Sequence, residues 1–169
     1  MEERKNIITF MNEPVTLLGK GVNVGDKAED FKAIKKDMSE FDLSELKGKN
    51  ILISVVPSID TPVCEEQTKI FNKEASELKN IHLITISCDL PFAQANFCAA
   101  KGIENLTMLS DYRFHDFGEK YGFLIKELML LARGIVIIDK DGVVQYVEYV
   151  PEVTNLPNFD KALEAAKAL

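Results

Sequence analysis

Tryptophan is absent from the 169 residues, histidine occurs twice and cysteine three times. An odd and small cysteine count is a poor disulfide scaffold. No Cys-x-x-Cys pair is present, and neither His82 nor His115 has a cysteine at metal-ligand spacing, so the sequence offers no metal site and no dithiol motif. Basic residues are in deficit: 20 Lys plus Arg against 27 Asp plus Glu leave a formal charge of −7. Such a surface repels phosphate backbones and argues against nucleic acid as a partner. Long apolar runs are lacking too. Leu128 to Ala132 and Ile135 to Ile138 fall far short of a bilayer span, and Glu2, Glu3, Arg4 and Lys5 replace the apolar stretch of a signal peptide. The expectation is a cytoplasmic chain that does not enter a membrane. Apolar residues at 46% and charged residues at 28% exclude a disordered, collagenous or fibrous chain. No repeat or linker divides the sequence, so residues 1–169 are expected to form one domain.

What is present alternates. Residues 7–18 suggest two short strands around Asn12-Glu13-Pro14, and the glycines at 19, 21 and 25 lack the Gly-x-Gly-x-x-Gly spacing of a nucleotide loop. Residues 50–57 are apolar at every alternation, as suits a strand covered on both faces. A helix pattern begins near Pro62, with Val63, Ile70, Phe71, Ala75 and Leu78 on one face. His82 to Cys88 suits a second strand, Pro91 to Ala100 a helix opened by its proline, and Thr107 to Ser110 a third strand. A helix is expected over 111–121, with Phe114, Phe117, Gly118 and Tyr121 aligned. Residues 134–139 and 143–149 flank Lys140-Asp141-Gly142, a strong hairpin signal, and Phe159, Ala162, Leu163 and Ala166 mark a final helix. Segment 123–132 is ambiguous between helix and apolar loop. The order predicts an α/β fold, a thioredoxin-like core with a mixed central sheet and an added N-terminal β-hairpin.

Cys64 falls within the first turn of the helix that follows the central strand, the junction where ligands dock in α/β sheets. Free N–H groups and the helix dipole there favour a thiolate, whereas Glu65 and Glu66 oppose it, so a cation from elsewhere would help. Cys64 shares a face with Phe71, Ala75 and Leu78 and is expected to point partly inward; a buried inert cysteine and a reactive thiol both fit. Cys98 lies beside Gln94 and Lys101 on its helical wheel, away from an apolar face of Phe92, Ala93, Phe97 and Ala100, and is expected at the boundary or near solvent. Cys88 alternates with Ile84 and Ile86 and reads as packing. The carboxylates appear dispersed on solvated helix faces. Leu128 to Leu131 suit core or dimer packing, or an apolar wall beside Arg133.

Pro57-Ser58-Ile59-Asp60-Thr61-Pro62-Val63-Cys64 contains Pro-x-x-x-Thr-x-x-Cys and resembles the active-site motif of the peroxiredoxins. The fuller SIDTPVC string resembles the bacterial thiol peroxidase subfamily of atypical two-cysteine peroxiredoxins, and Asp89 to Cys98 (DLPFAQANFC) resembles that subfamily's resolving-cysteine helix. Ala132-Arg133-Gly134 is similar to the family's arginine position. Val24 to Phe31 resembles a leading segment of the wider family, with Glu29 where proline is commoner. The resemblance implies a thiol-dependent peroxidase acting on hydrogen peroxide and organic hydroperoxides. In it Cys64 is the nucleophile that becomes a sulfenic acid, Thr61 hydrogen-bonds the peroxide, Arg133 supports thiolate and leaving oxygen, and Pro57 shields the pocket. It further implies a Cys64–Cys98 intramolecular disulfide reopened by thioredoxin, a homodimer, and no metal, haem or flavin. A single-cysteine peroxidase in which Cys98 idles, and a peroxide-sensing redox switch, are the alternatives.

Acidity alone does not make a peroxidase. A cysteine with a pKa of about 8.5 is roughly 3% thiolate at neutral pH, and one of about 6 roughly 90%, a gain of about thirtyfold. A Brønsted slope near 0.45 returns about thirteenfold of that as lost nucleophilicity, leaving about twofold. Most of the acceleration must come from orienting the peroxide and stabilising its leaving oxygen.

Overall fold

The computed structural model describes every residue of the chain except Ser76. In chain order the strands and helices are β1 (Glu3–Phe10), β2 (Glu13–Leu18), β3 (Lys32–Lys35), β4 (Glu40–Asp42), β5 (Asn50–Val55), α1 (Pro62–Ala75), β6 (Ile81–Ser87), α2 (Pro91–Lys101), β7 (Thr107–Ser110), α3 (Asp116–Tyr121), β8 (Leu124–Ile125), β9 (Leu130–Leu131), β10 (Gly134–Ile138), β11 (Val144–Tyr149) and α4 (Phe159–Lys167). A short 3₁₀ turn, Leu43–Leu46, joins β4 to β5. Seven strands form one mixed sheet in the order β11-β10-β5-β6-β7-β3-β4, in which β5, β6 and β7 are parallel. Strand β10 runs antiparallel to both of its neighbours, β5 and β11. The unit β5-α1-β6 with the later β10-β11 hairpin and α4 is the thioredoxin-like core expected from the element order.

Strand β5 shows why its apolar run is continuous. Ile51, Ile53 and Val55 pack into the larger core with Phe117, Tyr121 and Phe123, while Leu52 on the opposite face meets Phe71 of α1 and Ala162 of α4. Each such aliphatic side chain contributes about 1.5–3 kcal/mol through burial. The second face carries a polar exception, Ser54, that bears on the site.

Several elements differ from the sequence-based expectations. The β1–β2 turn falls at Met11-Asn12, both at positive φ, with Phe10 paired to Glu13; Pro14 lies within β2. Segment 123–132 is neither helix nor loop: β8 and β9 pair antiparallel and join β1 and β2 in a four-stranded sheet. Leu131 is core, whereas Leu128 and Met129 stand exposed at the β8–β9 turn and outside the cluster around Cys64. Helix α3 begins at Asp116 rather than at residue 111, because His115 takes a left-handed conformation and Asp111 folds back to accept the Phe117 and Gly118 N–H groups. Phe117, Gly118 and Tyr121 are buried as expected; Phe114 is exposed. The buried face of α1 consists of Cys64, Gln67, Thr68 and Phe71, with Val63 and Ile70 only half-buried. Leu78 lies beyond the helix end, and the Ala75 side chain lies outside the described residues. No helix among the described residues is long and apolar enough to cross a membrane.

Candidate active site

Four pieces of chain meet at the carboxyl end of β5. The loop Pro57 to Thr61 leaves the strand and feeds α1. Thr61 caps that helix: its Oγ1 accepts the Cys64 N–H at 3.2 Å and its carbonyl accepts the Glu65 N–H at 2.9 Å. Pro62, which has no N–H to lose, occupies the first helical position. Cys64 is thereby fixed at the third, and the Thr68 hydroxyl donates to its carbonyl at 2.9 Å. Pro57, at the start of the loop, is buried.

Arg133 arrives from the opposite direction, immediately before β10. Its guanidinium is 2% exposed and divides three donors among three partners: Nε to the Val153 carbonyl at 2.7 Å, Nη1 to Gln67 Oε1 at 3.0 Å, and Nη2 to Cys64 Sγ at 3.2 Å. This fork supplies the cation that the sequence around Cys64 lacks. Backbone packing sets where it sits. A Cβ on Gly134 would meet the Glu148 carbonyl and come within 2.5 Å of the Phe123 ring, so only glycine lets β10 approach its neighbours here.

Gln67 is the site residue that the sequence did not suggest. It is fully buried one turn beyond Cys64, and its Nε2 donates to Ser54 Oγ at 2.8 Å and to the Val55 carbonyl at 3.3 Å. Its amide thus holds Arg133 with the oxygen and β5 with the nitrogen. The signal was a polar residue three positions after Cys64, on the same helical face. Glu65, expected to oppose a thiolate, is turned outward and paired with Lys69 at 3.0 Å and Lys101 at 3.1 Å.

The two cysteines of the resemblance are both free. Cys64 is 0% exposed, deeper than the partial burial expected. Cys98 corrects the helical-wheel reading: it is 5% exposed and belongs to one apolar cluster with Cys64, Val56, Ile59, Ile103 and Met108. The reason is that α2 turns Pro91, Gln94 and Cys98 inward and leaves Phe92 62% exposed. Gln94 can be buried because its Nε2 donates to Ser87 Oγ at 3.0 Å and to the Leu109 carbonyl at 2.7 Å, partners outside its own helix. Burial pushes the Cys98 thiol pKa above its ordinary value.

Cys88 directly follows β6, packs against the larger core, and is pushed up to about 12 by burial and then by the neighbouring Asp111 charge. Asp111 in turn corrects the expectation that the carboxylates all lie on solvated faces. It is buried, and desolvation raises it to about 7 against the pull of the Gly118 and Phe117 N–H groups. A cleft of about 840 Å³ among Lys49, Asn50, His82 and Asp139 contains none of the site residues. No group of three or more His, Cys, Asp or Glu side chains among the described residues is placed to hold a metal ion.

The Redoxin family profile matches residues 23–163. The chain is 53% identical over 162 residues to the "Thiol peroxidase" of Bacillus subtilis (strain 168), covering 96% of this chain and 97% of that protein. It is 48% identical over 163 residues to the "Thiol peroxidase" of Streptococcus pneumoniae (strain ATCC BAA-255 / R6), covering 96% and 100%. Among solved structures, a peroxiredoxin-like protein from Aquifex aeolicus superposes with a TM-score of 0.91 at 40% identity over 99% of both chains. With the profile spanning most of its length and these relatives nearly all of it, the chain belongs to the Redoxin family, among its peroxiredoxins of the thiol peroxidase type.

Proposed function

We propose that the chain reduces hydrogen peroxide and organic hydroperoxides with Cys64 as nucleophile and Cys98 as the thiol that resolves its oxidised form. The observation that carries this is the 3.2 Å hydrogen bond from Arg133 Nη2 to a fully buried Cys64 Sγ at a helix start. In the first step the Cys64 thiolate attacks one peroxide oxygen. The S–O bond forms, the O–O bond breaks, and the departing oxygen takes a proton to leave as water or alcohol. Arg133 donates a hydrogen bond to the sulfur and meets the charge on the leaving oxygen. Thr61 already accepts the Cys64 N–H, so its own O–H is available to the peroxide. Pro57 keeps bulk water from the reacting pair.

In the second step the Cys98 sulfur attacks the Cys64 sulfenic acid. The S–S bond forms, the S–O bond breaks, and hydroxide leaves as water with the Cys98 proton. Thioredoxin then returns two electrons by thiol–disulfide exchange. We place this cycle in the cytoplasm, where free thiols persist, and in a homodimer, as the resemblance implies.

The test is steady-state peroxide consumption by the chain with thioredoxin, thioredoxin reductase and NADPH. Many turnovers per chain, abolished in Cys64→Ser, are expected. A single stoichiometric oxidation would identify a redox switch instead. Turnover unchanged in Cys98→Ser would identify a single-cysteine peroxidase.

A further inference from the structure

One carboxylate fastens the loop that leads into the Cys64 helix to the segment that leads into the Cys98 helix. Asp89 lies between β6 and α2. Its Oδ1 accepts the Ser58 hydroxyl at 2.8 Å, and its Oδ2 accepts the Ile59 N–H at 2.8 Å and the Ser87 hydroxyl at 2.6 Å. Ser58 Oγ accepts the Asp60 N–H at 3.1 Å, which makes the loop one hydrogen-bonded unit. On the other side, the Asp89 carbonyl accepts the Ser110 hydroxyl and fixes the approach to α2. Asp89 makes no salt bridge among the described residues; its charge is met by neutral donors, two of which belong to the Cys64 loop. Ile59, whose N–H it holds, packs in the same apolar cluster as Cys64 and Cys98.

This tie opposes the second half of the reaction. A disulfide needs Cα atoms within about 4.4–6.8 Å and both sulfurs free to approach each other. Cys64 is the third residue of α1 and Cys98 the eighth of α2, and Cys64 Sγ is held by Arg133. Joining the sulfurs requires Cys64 Sγ to leave Arg133 and the cluster it shares with Ile59 and Cys98 to rearrange. Of the two helices α2 has less to lose. Pro91, Gln94 and Cys98 are its buried residues, and Gln94 Oε1 is buried without a partner.

We propose that Asp89 is a positioning residue, a latch whose grip on Ser58 and Ile59 sets whether the Cys64 sulfenic acid condenses with Cys98 or is oxidised further. The inference rests on the Cys64–Cys98 couple proposed above. Condensation forms S–S, breaks S–O and releases water, and it needs the latch open. Further oxidation forms a second S–O bond on Cys64 from a second peroxide, which leaves as water or alcohol, and gives the sulfinic acid. That route needs the closed site.

The experiment follows fully reduced chain mixed with excess hydrogen peroxide, quenched at intervals and resolved by mass into sulfenic, disulfide and sulfinic forms. Asp89→Asn keeps the shape but removes the charge, and places an N–H₂ against one set of donors. Weakening charge-assisted hydrogen bonds in this way is expected to speed disulfide formation roughly tenfold and to cut the sulfinic fraction by a similar factor. Formation of the sulfenic acid is expected to slow by less than about threefold, because the closed form still predominates. Ser58→Ala removes one donor without touching Asp89 or α2 and is expected to act in the same direction by a smaller factor. The double variant should fall short of the product of the two. A partition within twofold of wild type in both variants, with the disulfide still forming, would overturn the latch and leave the cysteine couple standing. No Cys64–Cys98 disulfide in the wild type would overturn both.

Discussion

Replacing Arg133 by lysine keeps a positive charge beside Cys64 and removes the fork. The guanidinium serves Val153, Gln67 and Cys64 with separate N–H groups in one plane. An ammonium at the end of a flexible stem reaches one of these, which strands the buried Val153 carbonyl and Gln67 Oε1. At about 1–3 kcal/mol for each buried acceptor left unpaired, folding stability should fall by about 2–6 kcal/mol. The kinetic loss should be more selective. Alkylation by iodoacetamide needs the thiolate but no oxygen leaving group, so Arg133→Lys is expected to alter that rate by no more than roughly threefold. Peroxide reduction also needs a directed donor at the leaving oxygen, and loss of one such donor costs about 10²–10³ in rate. The assay compares second-order rate constants for both reagents on the same folded preparation. Equal losses with both reagents, or near-wild-type peroxide turnover, would refute the argument that orientation rather than thiol acidity carries the catalysis.

Gln67→Leu should lower the peroxide rate roughly tenfold by leaving Arg133 free to swing, with a larger effect on kcat/KM for peroxide than on iodoacetamide alkylation; equal effects on both would contradict an orienting role. Cys88→Ser should leave peroxide turnover within about twofold of wild type, because a thiol pushed up to about 12 is not ionised at neutral pH, and mass mapping of the wild-type cycle should find Cys88 reduced throughout. Asp111 carries a pH signature. Its carboxyl titrates near 3.8 when exposed and near 7 when folded, so the unfolded chain releases the proton first and stability is lost as pH rises through that window. The interval corresponds to about 4 kcal/mol at most. Urea unfolding across pH 4–7 should show wild type losing stability relative to Asp111→Asn; a constant difference would refute the assignment.

The backbone of the site was legible because its signals are local. The doubly apolar run of β5, the Thr61-Pro62 helix start and the Lys140-Asp141-Gly142 turn place Cys64 and the β10–β11 hairpin with no knowledge of distant residues. What escaped depends on partners far along the chain. A helical wheel sorts residues by hydrophobicity and so turned Gln94 and Cys98 outward, yet Ser87 Oγ and the Leu109 carbonyl take the Gln94 N–H₂ group and the helix rotates inward. Gln67 escaped for the same reason, since Ser54 and Arg133 make a buried amide tolerable. Asp89 was legible as part of a motif but not as a tie, because the two donors from the loop before α1 sit about thirty residues earlier. The β8–β9 hairpin had no turn signal at all. Its turn places Met129 at φ 53°, a conformation usually left to Gly or Asn. Strands β3 and β4, at four and three residues with charged ends, are too short for alternation to register.

The cysteine couple is tested most directly by intact mass and peptide mapping of the reduced chain after one equivalent of hydrogen peroxide. A loss of about 2 Da, mapped to a cross-link between the peptides carrying Cys64 and Cys98 with Cys88 untouched, is the expected result. A stable gain of about 16 Da on Cys64, with Cys98 unlinked, would contradict it.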